Sequence, residues 1–271
     1  MPPRLTDRAA LARNRARADV LFLQAASADD VHERLIEVNR TFTAPAVVTG
    51  FPEAWTDWMP SAKIVGDSET LDLEEGAHDL IIHALSLHWA DDPIGQLVQC
   101  RHALKPDGLL IATLFAGQTL HELRSVLAEA EVAQTGGLSP RILPMGEVRD
   151  LGGLLQRAGL ALPVADMMPL TVTYDTPIHL MRDLRAMGEG NAMNQRQRTP
   201  TSRKVFAQAM SRYVDTFAMD DGRIPATFEI ATLTGWAPDD SQQKPLRPGS
   251  AMSRLSDALG TDELPLDRSD D

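Results

Sequence analysis

The chain has 271 residues, 43% of them apolar, with 26 basic and 38 acidic side chains and a formal net charge of -12. That length supplies one substantial core, and the acidic balance repels phosphate backbones, which sets general nucleic-acid binding aside. The single cysteine, Cys100, rules out an internal disulfide and any metal site built on paired cysteines.

Residues 5–40 read as two helices. Leu5, Ala9 and Ala12 precede a basic patch of Arg13, Arg15 and Arg17, expected on a solvated face. Asp29 and Asp30 open the second helix, where acids suit the positive end of the macrodipole. From Ala46 the period changes. Ala46 to Gly50 is a short apolar run ending in glycine, the pattern of a buried strand entering a turn. Pro52 to Trp55 begins a short helix with proline in a tolerated first-turn position. Lys63 to Asp67 and His78 to Leu85 are the next strands, and Pro93 to Leu104 is a helix. Lys105-Pro106-Asp107-Gly108 is a turn in which the glycine permits a positive φ, and Leu109 to Phe115 is another apolar strand.

Farther along, helices are expected at 120–133, 146–158, 177–188 and 201–218, with extended segments at 164–174 and 226–236. From 238 onward hydrophobic spacing thins, predicting a flexible tail with one helix at 251–259. Short apolar strands alternating with helices imply an α/β fold, a mainly parallel sheet covered on both faces. No apolar run is long enough to span a bilayer. Asp7 and Asp19 interrupt the arginines of the first twenty residues and no apolar signal core follows, so the expected compartment is a reducing cytoplasm.

Gly66-Asp67, Asp79 to Ile82, Ser86-Leu87-His88-Trp89 and Leu104-Lys105-Pro106-Asp107-Gly108 stand in a revealing order. That order resembles the second half of a class I S-adenosylmethionine-dependent methyltransferase domain. Four further blocks follow in series: Phe115 to Arg124, Asp150 to Leu155, Met187 to Ala192 and Pro225 to Phe228. Together with the arginine-rich start they resemble the family of mitochondrial complex I assembly factor 5 and its alphaproteobacterial relatives, near the BioC-like methyltransferases.

The resemblance covers roughly residues 5–236. It implies a Rossmann-like methyltransferase sandwich, S-adenosylmethionine as ligand and, for the mitochondrial member, hydroxylation of a protein arginine on a respiratory complex I subunit. Element pattern and composition divide the chain into an N-terminal helical region (1–40), a methyltransferase-like α/β domain (41–236) with a helical insertion near 175–220, and a flexible acidic tail (237–271).

In such folds the first strand ends in closely spaced glycines, which let the backbone approach the ligand. Here the corresponding segment reads Val47-Val48-Thr49-Gly50-Phe51-Pro52-Glu53, with one glycine, a bulky Phe51, and a Pro52 that lacks an N–H donor. The interval from Gly50 to Ile64 is too short for a second strand and a further helix, so one strand-helix unit, with the ribose-binding acid, is expected to be missing. The candidate cofactor-binding residues are therefore Gly50, Asp67 and Ser68, and Ser86, Leu87 and His88 at the carboxyl edge of the sheet.

Asp67 would stand where relatives read the adenine amino group, and an ordinary strand-end acid remains the alternative. His88 and Trp89 are open to two readings, a pocket wall or a packed pair, and His83 is expected to be a satisfied core residue. Trp55 and Trp58 are expected to plug the emptied cofactor space. No spacing indicates a metal site, a nucleophile elbow or a phosphate loop. No catalytic residue is assigned. Two functional readings follow: a non-catalytic assembly factor on a methyltransferase scaffold, or an active enzyme with a modified pocket.

Overall fold

The computed structural model describes residues 4–243 and Gly260. The expected helix at 251–259 lies outside the described residues. Contacts divide the chain into units at 1–239 and 240–271, and everything below concerns the first.

Two helices lead in, α1 (Arg8–Arg15) and α2 (Phe22–Val38). The Asp7 carboxylate caps α1 by accepting from the Ala10 N–H at 3.0 Å. α2 begins seven residues before Asp29, so Asp29 and Asp30 lie inside it and do not open it. Asp30 pairs one turn on with Arg34 at 2.9 Å, so the acid expected in the first turn is part of an (i, i+4) ion pair.

The α/β body follows: β1 (Pro45–Thr49), α3 (Pro52–Thr56), β2 (Lys63–Gly66), β3 (His78–Ala84), α4 (Pro93–Ala103) and β4 (Leu104–Phe115). Then come α5 (His121–Thr135), α6 (Val148–Arg157), β5 (Ala161–Tyr174), α7 (Pro177–Ala186), α8 (Arg203–Phe217) and β6 (Ile224–Trp236). The six strands form one mixed sheet in the order β2-β1-β3-β4-β6-β5. β2, β1, β3 and β4 run parallel, and β6 runs antiparallel to both β4 and β5.

The two-residue period of the strands sorts side chains onto two covered faces. Val48, Ile81, Leu110 and Ala112 pack against Leu97 and Cys100 of α4 and Leu151 and Leu155 of α6. Val47, Leu80, Ile82, Leu109 and Ile111 face Ala28 and Val31 of α2 and Trp55 of α3. Farther along the sheet, Phe115, Phe228 and Ile230 pack with α5, α7 and α8. Trp55 is fully buried here, its indole N–H donating to Gln24 at 3.1 Å, and Trp58 stacks edge-on against it. Both tryptophans therefore belong to the core beneath α2 and do not plug the cofactor space.

One turn is corrected as well. Leu104 pairs with His78 and the register slips before Leu80, so Lys105 to Gly108 form a bulge within β4. The positive φ falls on Asp107 (59°), which Arg40 holds through the backbone and side-chain oxygens at 2.8 Å. Gly108 is needed for a different reason: a Cβ there would stand 2.9 Å from the Lys105 carbonyl oxygen.

Candidate functional site

Parallel strands β1, β2 and β3 deliver their carboxyl ends to one edge, with Gly50, Asp67 and Ser86 following them. That edge is where open α/β sheets bind ligands. Here it is filled by α1. The Arg15 guanidinium lies directly on the Gly50 backbone, where any Cβ would collide with it. Its Nη1 donates to both oxygens of Asp67, at 2.8 and 2.9 Å, and the group stacks on the Phe51 ring 5.3 Å from its centroid.

The Arg15 side chain is only 8% exposed, so an arginine expected on a solvated face is buried. Arg8 adds a longer contact to Asp67 at 3.4 Å. Burial alone would raise the Asp67 carboxyl, but Arg15, with Arg8 behind it, holds it below the ordinary aspartate value.

The other candidates separate. Ser68 is exposed and donates to the Thr70 carbonyl at 3.1 Å. Leu87 turns into the core with Leu97 and Ala90. Ser86 is buried, 3.4 Å from His83 Nδ1, while His83 Nε2 meets Gln96 Oε1 at 2.7 Å. Burial holds the fully enclosed His83 below its ordinary value against the opposing Gln96 bond, the pattern of a satisfied core histidine.

Of the six, only His88 lines the cavity described below. Its Nδ1 faces the Phe115 N–H at 3.5 Å, and its Nε2 stands 3.6 Å from Glu189 Oε2. Trp89 Nε1 donates to the same Glu189 oxygen at 2.9 Å. Burial would raise the Glu189 carboxyl, but His88 and, more distantly, Arg15 hold it below the ordinary glutamate value. Local backbone geometry puts Glu189 there. Gly188 ends α7 in the left-handed region (φ 78°), and a Cβ on it would stand 3.1 Å from Arg15 Cα and 3.2 Å from Ala18 Cβ.

Beside this trio lies a cavity of about 590 Å³, walled by Phe115, Leu123, Leu127, Met145, Met181 and Phe228, with Arg17, Arg141 and Arg185 also in its lining. Gly50, Asp67, Ser68, Ser86 and Leu87 do not line it. Arg15 Nε and Nη2, His88 Nε2 and Glu189 Oε1 are buried without a hydrogen-bond partner among the described residues. Among those residues no group of three His, Cys, Asp or Glu side chains is arranged to hold a metal, and no helix is long and apolar enough to cross a membrane.

Residues 15–112 match the methyltransferase domain family. The chain is 36% identical over 231 residues to the mitochondrial arginine-hydroxylase NDUFAF5 of Danio rerio, covering 85% of this chain and 72% of that protein. The Dictyostelium discoideum counterpart is 43% identical over 190 residues, which are 70% of this chain and 43% of the longer relative. The malonyl-[acyl-carrier protein] O-methyltransferase of Xylella fastidiosa (strain M23) is 36% identical over 181 residues, 67% of this chain and 59% of the enzyme. The chain thus spans less than half the Dictyostelium protein's length. It belongs to the class I S-adenosylmethionine-dependent methyltransferase family, alongside NDUFAF5 and the malonyl-[acyl-carrier protein] methyltransferases. That family typically binds S-adenosylmethionine.

Proposed function

We propose that this chain is a protein-binding member of the family, acting as a respiratory complex I assembly factor, whose nucleoside cleft is closed from within and whose cavity receives an arginine side chain of its partner. The observation that carries the first part is Arg15. A cofactor approaching the Gly50 turn needs the space above its backbone and a free Asp67 carboxylate, and Arg15 takes both.

Emptying the cleft means separating a buried ion pair, which costs ~3–5 kcal/mol when one partner is left behind. A penalty of ~3 kcal/mol weakens a ligand by about two orders of magnitude. The site does not fit the cofactor, and no reaction step is routed through it. Topology agrees: β2 lies directly beside β1, and only α3 stands between them in sequence, which supports the reading of a sheet one strand-helix unit short.

Support for the second part is the free oxygen of Glu189. A buried carboxylate lone pair without a donor is costly, and a guanidinium presents several N–H donors in a planar fork that suits a carboxylate. The aromatic walls of the cavity would hold the flat group and the side chain's methylenes. A complex I subunit as partner follows from the resemblance to assembly factor 5. Affinity capture with the full chain tests this against purified complex I subunits. Wild type is expected to retain a subunit and Glu189→Gln to retain less, whereas retention of none, or equal retention by both, contradicts the reading.

A further inference from the structure

The mouth of the His88 cavity carries a charge opposite to that of the chain as a whole. The protein has 38 acidic against 26 basic side chains, yet the charged groups lining this cavity are three arginines against one buried glutamate, with His88 beside it. Arg141 is neutralised by Glu131 at 2.8 Å. The other two are not. Arg17, from the segment after α1, donates from Nε to the Arg13 carbonyl at 2.9 Å and from Nη2 to Asn14 Oδ1 at 3.3 Å. Arg185 lies in the last turn of α7. Both are exposed, and neither forms an ion pair with any described carboxylate.

The two segments that carry them are fixed to each other. Asp19 N donates to the Ala186 carbonyl at 2.8 Å, and Gly188 packs on the Arg15 backbone. The two cations are therefore held on one rigid rim, while Glu189, with its unpartnered oxygen, lies buried within the same cavity. The cavity is also larger than one side chain requires, leaving room for the residues on either side of an inserted one.

We infer that this rim reads acidic residues flanking the inserted side chain, so that the partner segment is an acidic stretch of polypeptide with its carboxylates on Arg17 and Arg185. The inference rests on the insertion reading above and adds to it a rule for what lies next to the inserted residue. Charge complementarity selects this occupant. An acidic segment is repelled by the chain's overall charge, so any preference for it must come from a local basic site.

Four short fluorescein-labelled peptides test this by anisotropy with the full chain: arginine or alanine at the centre, each flanked by Asp and Glu or by Asn and Gln. The acidic-flanked arginine peptide is expected to bind roughly tenfold tighter than its neutral-flanked twin, two exposed charge pairs summing to about that factor. The advantage shrinks as salt is raised. It is lost in the Arg17→Gln/Arg185→Gln variant and kept in an Arg203→Gln/Lys204→Gln control, which removes the same charge from the exposed start of α8. Equal affinity for acidic and neutral flanks overturns the inference, and if arginine is still preferred over alanine the insertion reading stands. A flank preference that survives loss of Arg17 and Arg185 also overturns it. Binding of none of the four peptides overturns both.

Discussion

Arg15 and Asp67 form the pair on which the site turns, and their removal has opposite chemical consequences. Arg15→Gln leaves a carboxylate buried beside Gly50 without its cation, and Asp67→Asn leaves a buried guanidinium without its anion. Each is expected to lower unfolding stability by ~3 kcal/mol, because breaking one side of a buried ion pair strands the other. Urea denaturation followed by circular dichroism checks this.

The acid limb of stability follows from the carboxyls. Glu131 is held down to about 2, chiefly by the Arg141 guanidinium and also by Ser139, from an ordinary value of 4.5. A carboxyl depressed in the folded state binds its proton more readily when unfolded. Its contribution is therefore complete above pH 4.5 and lost as pH falls toward 2. Glu131→Gln is expected to flatten the stability profile across that window and to leave its slope above about pH 5 unchanged, which denaturation at stepped pH would show.

At this scale the sequence was only partly informative. The strand-end positions of Gly50 and Asp67 were legible, because a strand-end glycine and a strand-end acid have positional signatures. Arg15 was not, because its neighbours Arg13 and Arg17 are exposed and the patch reads as one solvated face. Glu189 lies a hundred residues from Trp89, and only the fold brings it to Trp89 and His88.

Elements were more legible than sites. Short continuous apolar runs marked β1, β3 and β4, whereas two of the caps came from the structure: Asp92 accepts from Gly95 N at 2.8 Å, and Ser202 from Val205 N at 3.2 Å. What failed was local punctuation under tertiary control. Lys105 to Gly108 carry every mark of a turn, yet pairing of His78 with Leu104 draws them into β4.

The link between α7 and α1 depends on one glycine. Gly188→Ala meets two penalties, a left-handed φ and contact with Arg15 Cα and Ala18 Cβ. It is expected to lower stability by ~1–2 kcal/mol and to move Glu189 away from Trp89. Trp89 fluorescence is confounded by three other tryptophans, so indole N–H resonances in a 15N-labelled sample give the cleaner reading. A Trp89 signal unchanged from wild type would contradict the role given to this turn.

Across the whole molecule, a sheet packed on both faces leaves little accessible in its centre. Cys100 reports on this, since it is fully buried between α4 and the sheet and its thiol is pushed up to about 12 by that burial. It should resist a thiol reagent in the folded protein and react at once in denaturant, and fast native labelling would show that the α4 layer opens.

The same packing would let a methyltransferase scaffold persist with its cofactor cleft closed, as proposed above. The strands at the ligand edge are stabilised by the core beneath α2, α3 and α4, while α1 supplies the side chain that fills the space above them. The family was legible because strand-end and turn blocks keep their order along the chain, whereas the closure depends on a helix that precedes the sheet in sequence.

The central claim is that closure, and calorimetric titration of the purified full chain with S-adenosylmethionine tests it most directly. With about two orders of magnitude lost to the closed cleft, no saturable heat is expected at ligand concentrations up to about 0.1 mM, a binding free energy weaker than ~5.5 kcal/mol. A single site with micromolar affinity in the wild-type chain would contradict it.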